Sequence, residues 1–259
     1  VAFSPDRRAL ASMSGRAVHL WDVQTSALLH TLKWPNNYSV NSLAFSPHGG
    51  VLASEGGDYT VSLWDARTGT QIHSLKGHKG KVLTVAFSPD GSTLALGLFE
   101  QQITLWDVAR GQPVYAFDRQ EENRTKRMEF SPDGTLLAVG VIDGTVRLLD
   151  VASGNIEKIL KYNCETDIHG LAFSPDGKYL ATGGRVPAVI LWDVASGEVV
   201  RTFRLTDNSI SMDFSPDGTI LASAGGYEHE VLLWDVESGN LLRSLPHNDQ
   251  IMRVAFSPD

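Results

Sequence analysis

The chain has 259 residues, 42% hydrophobic and 20% charged, an ordinary balance for a globular protein. Its net charge of −8, from 22 basic and 30 acidic residues, opposes binding to a phosphate backbone. No apolar run approaches the roughly 18 residues of a membrane helix, and the single cysteine, Cys164, excludes an internal disulfide.

The opening residues, Val1 to Asp6, read VAFSPD, and the phrase returns down the chain until it closes on Val254 to Asp259. Its phenylalanines are Phe3, Phe45, Phe87, Phe130, Phe173, Phe214 and Phe256, separated by 42, 42, 43, 43, 41 and 42 residues on subtraction. A second marker runs in step: LWD at Leu20, Leu63, Leu105, Leu191 and Leu233, with LLD at Leu148. A unit of about 42 residues is too small to bury its own core, so repeats of this period must stack on one another.

In chain order, Val1 to Phe3 is a short first strand. The turn SPDRRA leads from it to a second strand at Leu10, and loop-closure entropy favours pairing the two locally. The third repeat displays the whole unit. KVLTVAFSP is rich in β-branched residues and ends at a proline, which predicts a strand. Ser88 to Gly91 then turn the chain, with Pro89 at the position where its fixed φ suits a type I turn. TLALG, ITLWD and PVYAF follow as second, third and fourth strands, the last two separated by the turn ARGQ. In the fourth repeat Asp143 and Gly144 form a tight-hairpin signal between second and third strands. Helical periodicity is absent. Short antiparallel strands with frequent turns predict an all-β fold, and radial stacking of the four-stranded units makes a β-propeller. The chain holds six complete repeats plus the start of another, expected to form one domain over residues 1–259 cut from a longer chain. The last first strand, IMRVAF, is expected to begin a seventh blade rather than close a six-bladed ring.

FSPDG, then LAS, then LWD at this period resembles the WD40-repeat family, over the whole chain. The resemblance implies a WD40-like propeller of four-stranded antiparallel blades. It also implies a buried hydrogen-bonded set of four: the His of a GH pair, a second-strand Ser or Thr, an Asp in the next turn, and the Trp of WD. No repeat carries all four. The one GH pair, Gly77-His78, is followed by Leu96 and Glu100 before Trp106. The second repeat has Ser54, Asp58 and Trp64 but Asn36. The fourth has Asp143 but Val139 and Leu149, which reads as a joint loss of both partners, nearly neutral in energy. The fifth has Thr182 and Trp192 but Cys164, and His247 stands at the histidine phase of the last repeat.

Catalysis finds little support. The serines of the SPD turns recur in every unit and are explained as turn residues. No histidines stand at metal-ligand spacing, and no cofactor is expected. In the resembling family, the turns joining fourth to first strands and second to third strands open on the face that binds partners. Here those turns vary: Trp34, Asn37 and Tyr38; Arg124, Lys126 and Arg127; His169; Arg185 beside Pro187; Tyr227 and His229. Aromatic and arginine side chains are the types that anchor interfaces. The basic run Arg124-Lys126-Arg127 follows DRQEEN, whose three acids predict a mixed-charge solvated loop rather than a nucleic-acid site. The residue before each repeat phenylalanine is alanine except for Glu129 and Asp213. A local ion pair is expected to satisfy each of these, the alternative being a charged channel lining. The expected function is a non-catalytic scaffold that binds a protein or peptide partner through one propeller face. The competing reading is a propeller-based enzyme, lactonase-like or peptidase-associated, using the channel. Neither nucleic acid nor membrane is an expected partner. A cytoplasmic location and a fused signalling or effector domain in the full-length chain complete the expectation.

Overall fold

The computed structural model describes residues 2–14, 17–33, 40–56, 59–78, 80–99, 103–117, 125–161, 167–206, 208–209, 211–225 and 229–257. They form six four-stranded antiparallel sheets, with no helix among the described residues. The first blade is β1 (Ala2–Phe3), β2 (Ala9–Ser14), β3 (Ala17–Asp22) and β4 (Leu28–Lys33). The second is β5 (Val40–Phe45), β6 (Val51–Gly56), β7 (Val61–Asp65) and β8 (Gln71–Leu75). The third is β9 (Val82–Phe87), β10 (Thr93–Leu98), β11 (Ile103–Asp107) and β12 (Gln112–Phe117). The fourth is β13 (Thr125–Phe130), β14 (Leu136–Val141), β15 (Thr145–Asp150) and β16 (Ile156–Lys161). The fifth is β17 (Ile168–Phe173), β18 (Tyr179–Gly184), β19 (Ala188–Asp193) and β20 (Val199–Arg204). The sixth is β21 (Ser211–Phe214), β22 (Ile220–Ala224), β23 (Glu230–Asp235) and β24 (Leu241–Pro246). Each blade is a simple meander, every strand hydrogen-bonded to the next in sequence. The blades group into two compact units, residues 1–124 and 125–259.

Two turns written into every repeat make the meander. In the SPDG turn the serine hydroxyl donates to the aspartate two residues on, at 2.5 Å for Ser88 and Asp90, and accepts the N–H of Thr93 at 2.9 Å. The glycine sits at φ near 70°, a region other residues enter at a cost. The first blade has Arg7 there instead, at φ 58°. The second has His48 in place of the aspartate, and Ser46 accepts the Val51 N–H at a longer 3.1 Å. In the WD turn the aspartate accepts an N–H and a hydroxyl from the residue three on, as Asp65 does from Thr68 at 2.7 and 2.9 Å, save that Arg110 gives Asp107 its N–H and guanidinium. A register shift falls immediately before the Trp of that motif, or Leu149 in its place, in all six blades. Such a bulge raises local twist and re-aims the bulky side chain.

The core lies between neighbouring blades within each unit. In the first unit Leu63 and Leu75 of the second blade pack with Leu94, Leu96 and Trp106 of the third. In the second unit Leu148 and Leu160 pack with Phe173, Ile190 and Trp192. Phe203 meets Trp234 with ring centroids 5.5 Å apart. Outer strands contribute one buried side chain each: Leu32, Leu75, Phe117, Leu160 and Phe203. The sixth departs from this, because Leu245 is 36% exposed. Side chains of the outer strands also clasp the WD turn one blade on. His30 Nε2 lies 2.9 Å from the Arg67 carbonyl, His73 Nε2 lies 2.9 Å from that of Ala109, and Arg201 donates to Ser238 and Glu237 carbonyls.

Pairs of indole and hydroxyl tie second strand to third. Trp21 Nε1 donates to Ser12, Trp64 to Ser54, Trp192 to Thr182 and Trp234 to Ser223, at 2.7–2.9 Å. In the third blade Leu96 takes the second-strand position of the hydroxyl, two residues on from the Leu94 that pairs with Trp106, and the buried Nε1 of Trp106 has no hydrogen-bond partner among the described residues. His78 meets that indole edge-on, with centroids 6.2 Å apart, and burial holds its imidazole below the usual histidine range. In the fourth blade Val139 and Leu149 are both buried, so neither partner of the polar pair is left behind. Asn36, Asp58, Glu100 and Cys164 lie outside the described residues.

Candidate functional site

The first strand of each blade pairs on one edge only, so its other edge carries backbone groups that need partners. In the second unit side chains of one first strand supply them to the next. Glu129 of β13 accepts the N–H of Phe173 in β17 at 3.3 Å, and Arg127 Nε donates to the His169 carbonyl at 2.8 Å. Ser211 and Asp213 of β21 accept the N–H groups of Val254 and Phe256 at 3.0 and 2.6 Å. These contacts hold the segment Ile251–Ser257 against β21 without strand pairing. At the other terminus β1 pairs locally with β2, Ala2 opposite Ala11 and Phe3 opposite Leu10.

The two unusual carboxylates are therefore acceptors for backbone amides. For Glu129 this replaces the expected ion pair. Burial pushes its carboxyl up to about 8, the amide opposing and the Asp213 charge adding to the rise. Burial also raises Asp213, while the amides of Phe256 and Phe214 and the charge of Arg253 pull the other way. Amides suffice because each carboxylate projects from one first strand onto the open edge of the next, where an N–H would otherwise be orphaned.

Above these carboxylates the same strands gather cations. Lys126 Nζ lies 3.3 Å from Asp167 Oδ2, and His169 Nε2 lies 3.8 Å from the same oxygen. His169 is half-buried. Desolvation holds its imidazole low, Asp167 opposes, and the charges of Lys126, Arg185 and Arg127 lower it further. Arg127 is exposed, and partial desolvation of its guanidinium together with the charge of Arg253 lowers it. Arg185 stands exposed in the β18–β19 turn. The end of β18 is pressed onto Asp167: a Cβ at Gly184 would collide with the Asp167 carbonyl. Arg127, His169 and Arg185 are thus brought together. His229 is separate, half-buried at φ 56°, its carbonyl accepting the His247 N–H at 2.6 Å. Trp34, Asn37, Tyr38, Arg124 and Tyr227 lie outside the described residues.

Arg253 escaped the sequence reading. The signal was present, since it stands three residues before Phe256 as Arg127 stands three before Phe130. The hydroxyls of the SPD serines are committed to their own aspartates, as in Ser131 to Asp133 at 2.5 Å and Ser174 to Asp176 at 2.6 Å. Among the described residues no three His, Cys, Asp or Glu side chains gather as metal ligands do.

Comparison with known proteins bears on the same repeats. The family model for the WD domain, G-beta repeat, matches residues 26–65, 156–193 and 197–235, and that for the anaphase-promoting complex subunit 4 WD40 domain matches 85–168. The chain is 35% identical over 71 residues to the DENN domain and WD repeat-containing protein SCD1 of Arabidopsis thaliana, covering 27% of this chain and 6% of that protein. It is 36% identical over 80 residues to the serine-threonine kinase receptor-associated protein of Dictyostelium discoideum, covering 31% and 27%. It is 38% identical over 78 residues to the small ribosomal subunit protein RACK1y of Oryza sativa subsp. japonica, covering 29% and 23%. The chain thus spans about a quarter or less of each relative's length. Matched repeats, meander blades and in-phase Trp–Asp turns converge: the chain belongs to the WD40-repeat family.

Proposed function

We propose that the chain is a non-catalytic scaffold that binds a protein or peptide partner through the turns at one end of its blades. WD40 repeats generally mediate protein–protein interaction, and fold alone would carry the reading no further. The supporting observation is the convergence of Arg127, His169 and Arg185, with side chains reaching solvent from three different places in the sequence. Arginine at the centre of such a group is a typical interface anchor. The SPDG turns lie at the opposite end of each meander and are spent on their own hydrogen bonds.

The test is site-specific photo-cross-linking with the cross-linker placed at Arg185 or, at the opposite end, at Thr135. The expected result is a partner protein captured from Arg185 and not from Thr135. Capture from Thr135 alone would overturn the choice of face.

A further inference from the structure

We propose that the second unit recognises an acidic peptide segment through Arg127, Arg185 and Arg253. This rests on the reading of that face as a peptide-binding surface and adds the chemistry of the peptide. Three observations carry it. First, Arg127 of β13 donates to the His169 carbonyl, Arg185 of the β18–β19 turn stands near that same residue, and the C-terminal segment held on Ser211 and Asp213 brings Arg253 close to Arg127. Second, no ion pair engages any of the three among the described residues, and the nearby Asp167 is paired with Lys126. Third, Asp213 and Glu129 accept the amides of Phe256 and Phe173, and neither forms an ion pair with the three arginines among the described residues.

Among the described residues there, the cations Lys126, Arg127, Arg185 and Arg253 outnumber the anions Asp167 and Asp213, on a chain whose net charge is −8. Like charges held together are costly, and an anion bound among them removes that cost. Guanidinium groups match carboxylates in bidentate geometry, so a run of Asp or Glu side chains is a fitting occupant. A nucleic acid fits less well, because its affinity grows with the number of phosphates neutralised, and here three arginines stand on an acidic protein.

The experiment is fluorescence anisotropy of the 259-residue chain with a labelled ten-residue glutamate peptide, beside Gly-Ser and lysine peptides of equal length and a single-stranded oligonucleotide of equal charge. The expected result is binding of the glutamate peptide alone, weakening as salt rises. Arg185→Glu and Arg253→Glu are each expected to weaken it about ten-fold with an unchanged melting temperature, since both side chains are exposed. Absence of glutamate-peptide binding, or binding indifferent to both substitutions, would overturn the inference. Tighter binding of the oligonucleotide, lost in the same variants, would overturn it in favour of nucleic acid. Cross-linking from Arg185 is read independently, so the face can survive when its acidic preference does not.

Discussion

At the residue scale, the blades differ in one polar pair. Four tryptophans donate to a hydroxyl on the second strand, and for Trp106 that position holds Leu96 instead. Removing one partner of a buried pair strands the other, at a cost of about 1–3 kcal/mol, whereas removing an already unsatisfied donor carries no such penalty. Trp192→Phe is therefore expected to destabilise by about 1–3 kcal/mol more than Trp106→Phe, as measured by chemical denaturation. Equal losses would show that the hydroxyl pair contributes nothing. This contrast was partly legible from sequence: Ser54 with Trp64 and Thr182 with Trp192 were recognisable, and Val139 with Leu149 read as a joint loss. Ser12 with Trp21 and Ser223 with Trp234 needed the register of β2 on β3 and β22 on β23.

At the scale of the element, outer strands are the clearest case of identical pattern and different environment. Leu160 and Leu245 occupy equivalent positions in β16 and β24 and follow similar local sequences. Leu160 is 2% exposed because the next blade covers it, while Leu245 is 36% exposed. Leu160→Ala should cost about 2–5 kcal/mol, as buried leucines do. Leu245→Ala should cost clearly less, because more than a third of that side chain already meets water and less apolar area is given up. Thermal or urea unfolding of the two variants side by side checks the difference, and a loss at Leu245 as large as that at Leu160 would contradict the observed burial.

Over the whole molecule, pH acts on two opposed sets of carboxylates. The SPDG aspartates Asp6, Asp90, Asp133, Asp176 and Asp217 are held below 3.8 first by the preceding serine hydroxyl. The WD aspartates Asp22, Asp65, Asp150, Asp193 and Asp235 are held there by the hydroxyl and amide three residues on, and Asp107 by the amide and guanidinium of Arg110. Depressed groups contribute stability that is present above about 3.8 and lost as pH falls through their folded values. Glu129 has the opposite sign. Between 4.5 and about 8 the folded chain retains a proton there that the unfolded chain releases, so stability falls as pH rises through that window. Glu129→Gln keeps an oxygen for the Phe173 amide and removes the ionisation. Its melting temperature relative to the parent is expected to climb steadily from pH 5 to about pH 8. A difference that stays constant over that range would show that Glu129 ionises as freely in the folded chain as in the unfolded one.

The sequence by itself determined the repeat, the strands and the turns, because their causes are local. A serine, an aspartate and a glycine within four residues close a turn wherever they stand, and a β-branched run beside them becomes a strand. It also set Glu129 and Asp213 apart from the alanines at their position, and it marked Arg127, His169 and Arg185 as unusual. Only the tertiary structure decided what these residues meet. Glu129 and Phe173, Arg127 and His169, and Asp213 and Phe256 are each separated by 42–44 residues. Their contact exists because stacked blades bring the open edge of one first strand within a side chain's reach of the next. Repeat phase placed Arg253 in line with Arg127, but only that stacking brought their charges close enough to act on one another.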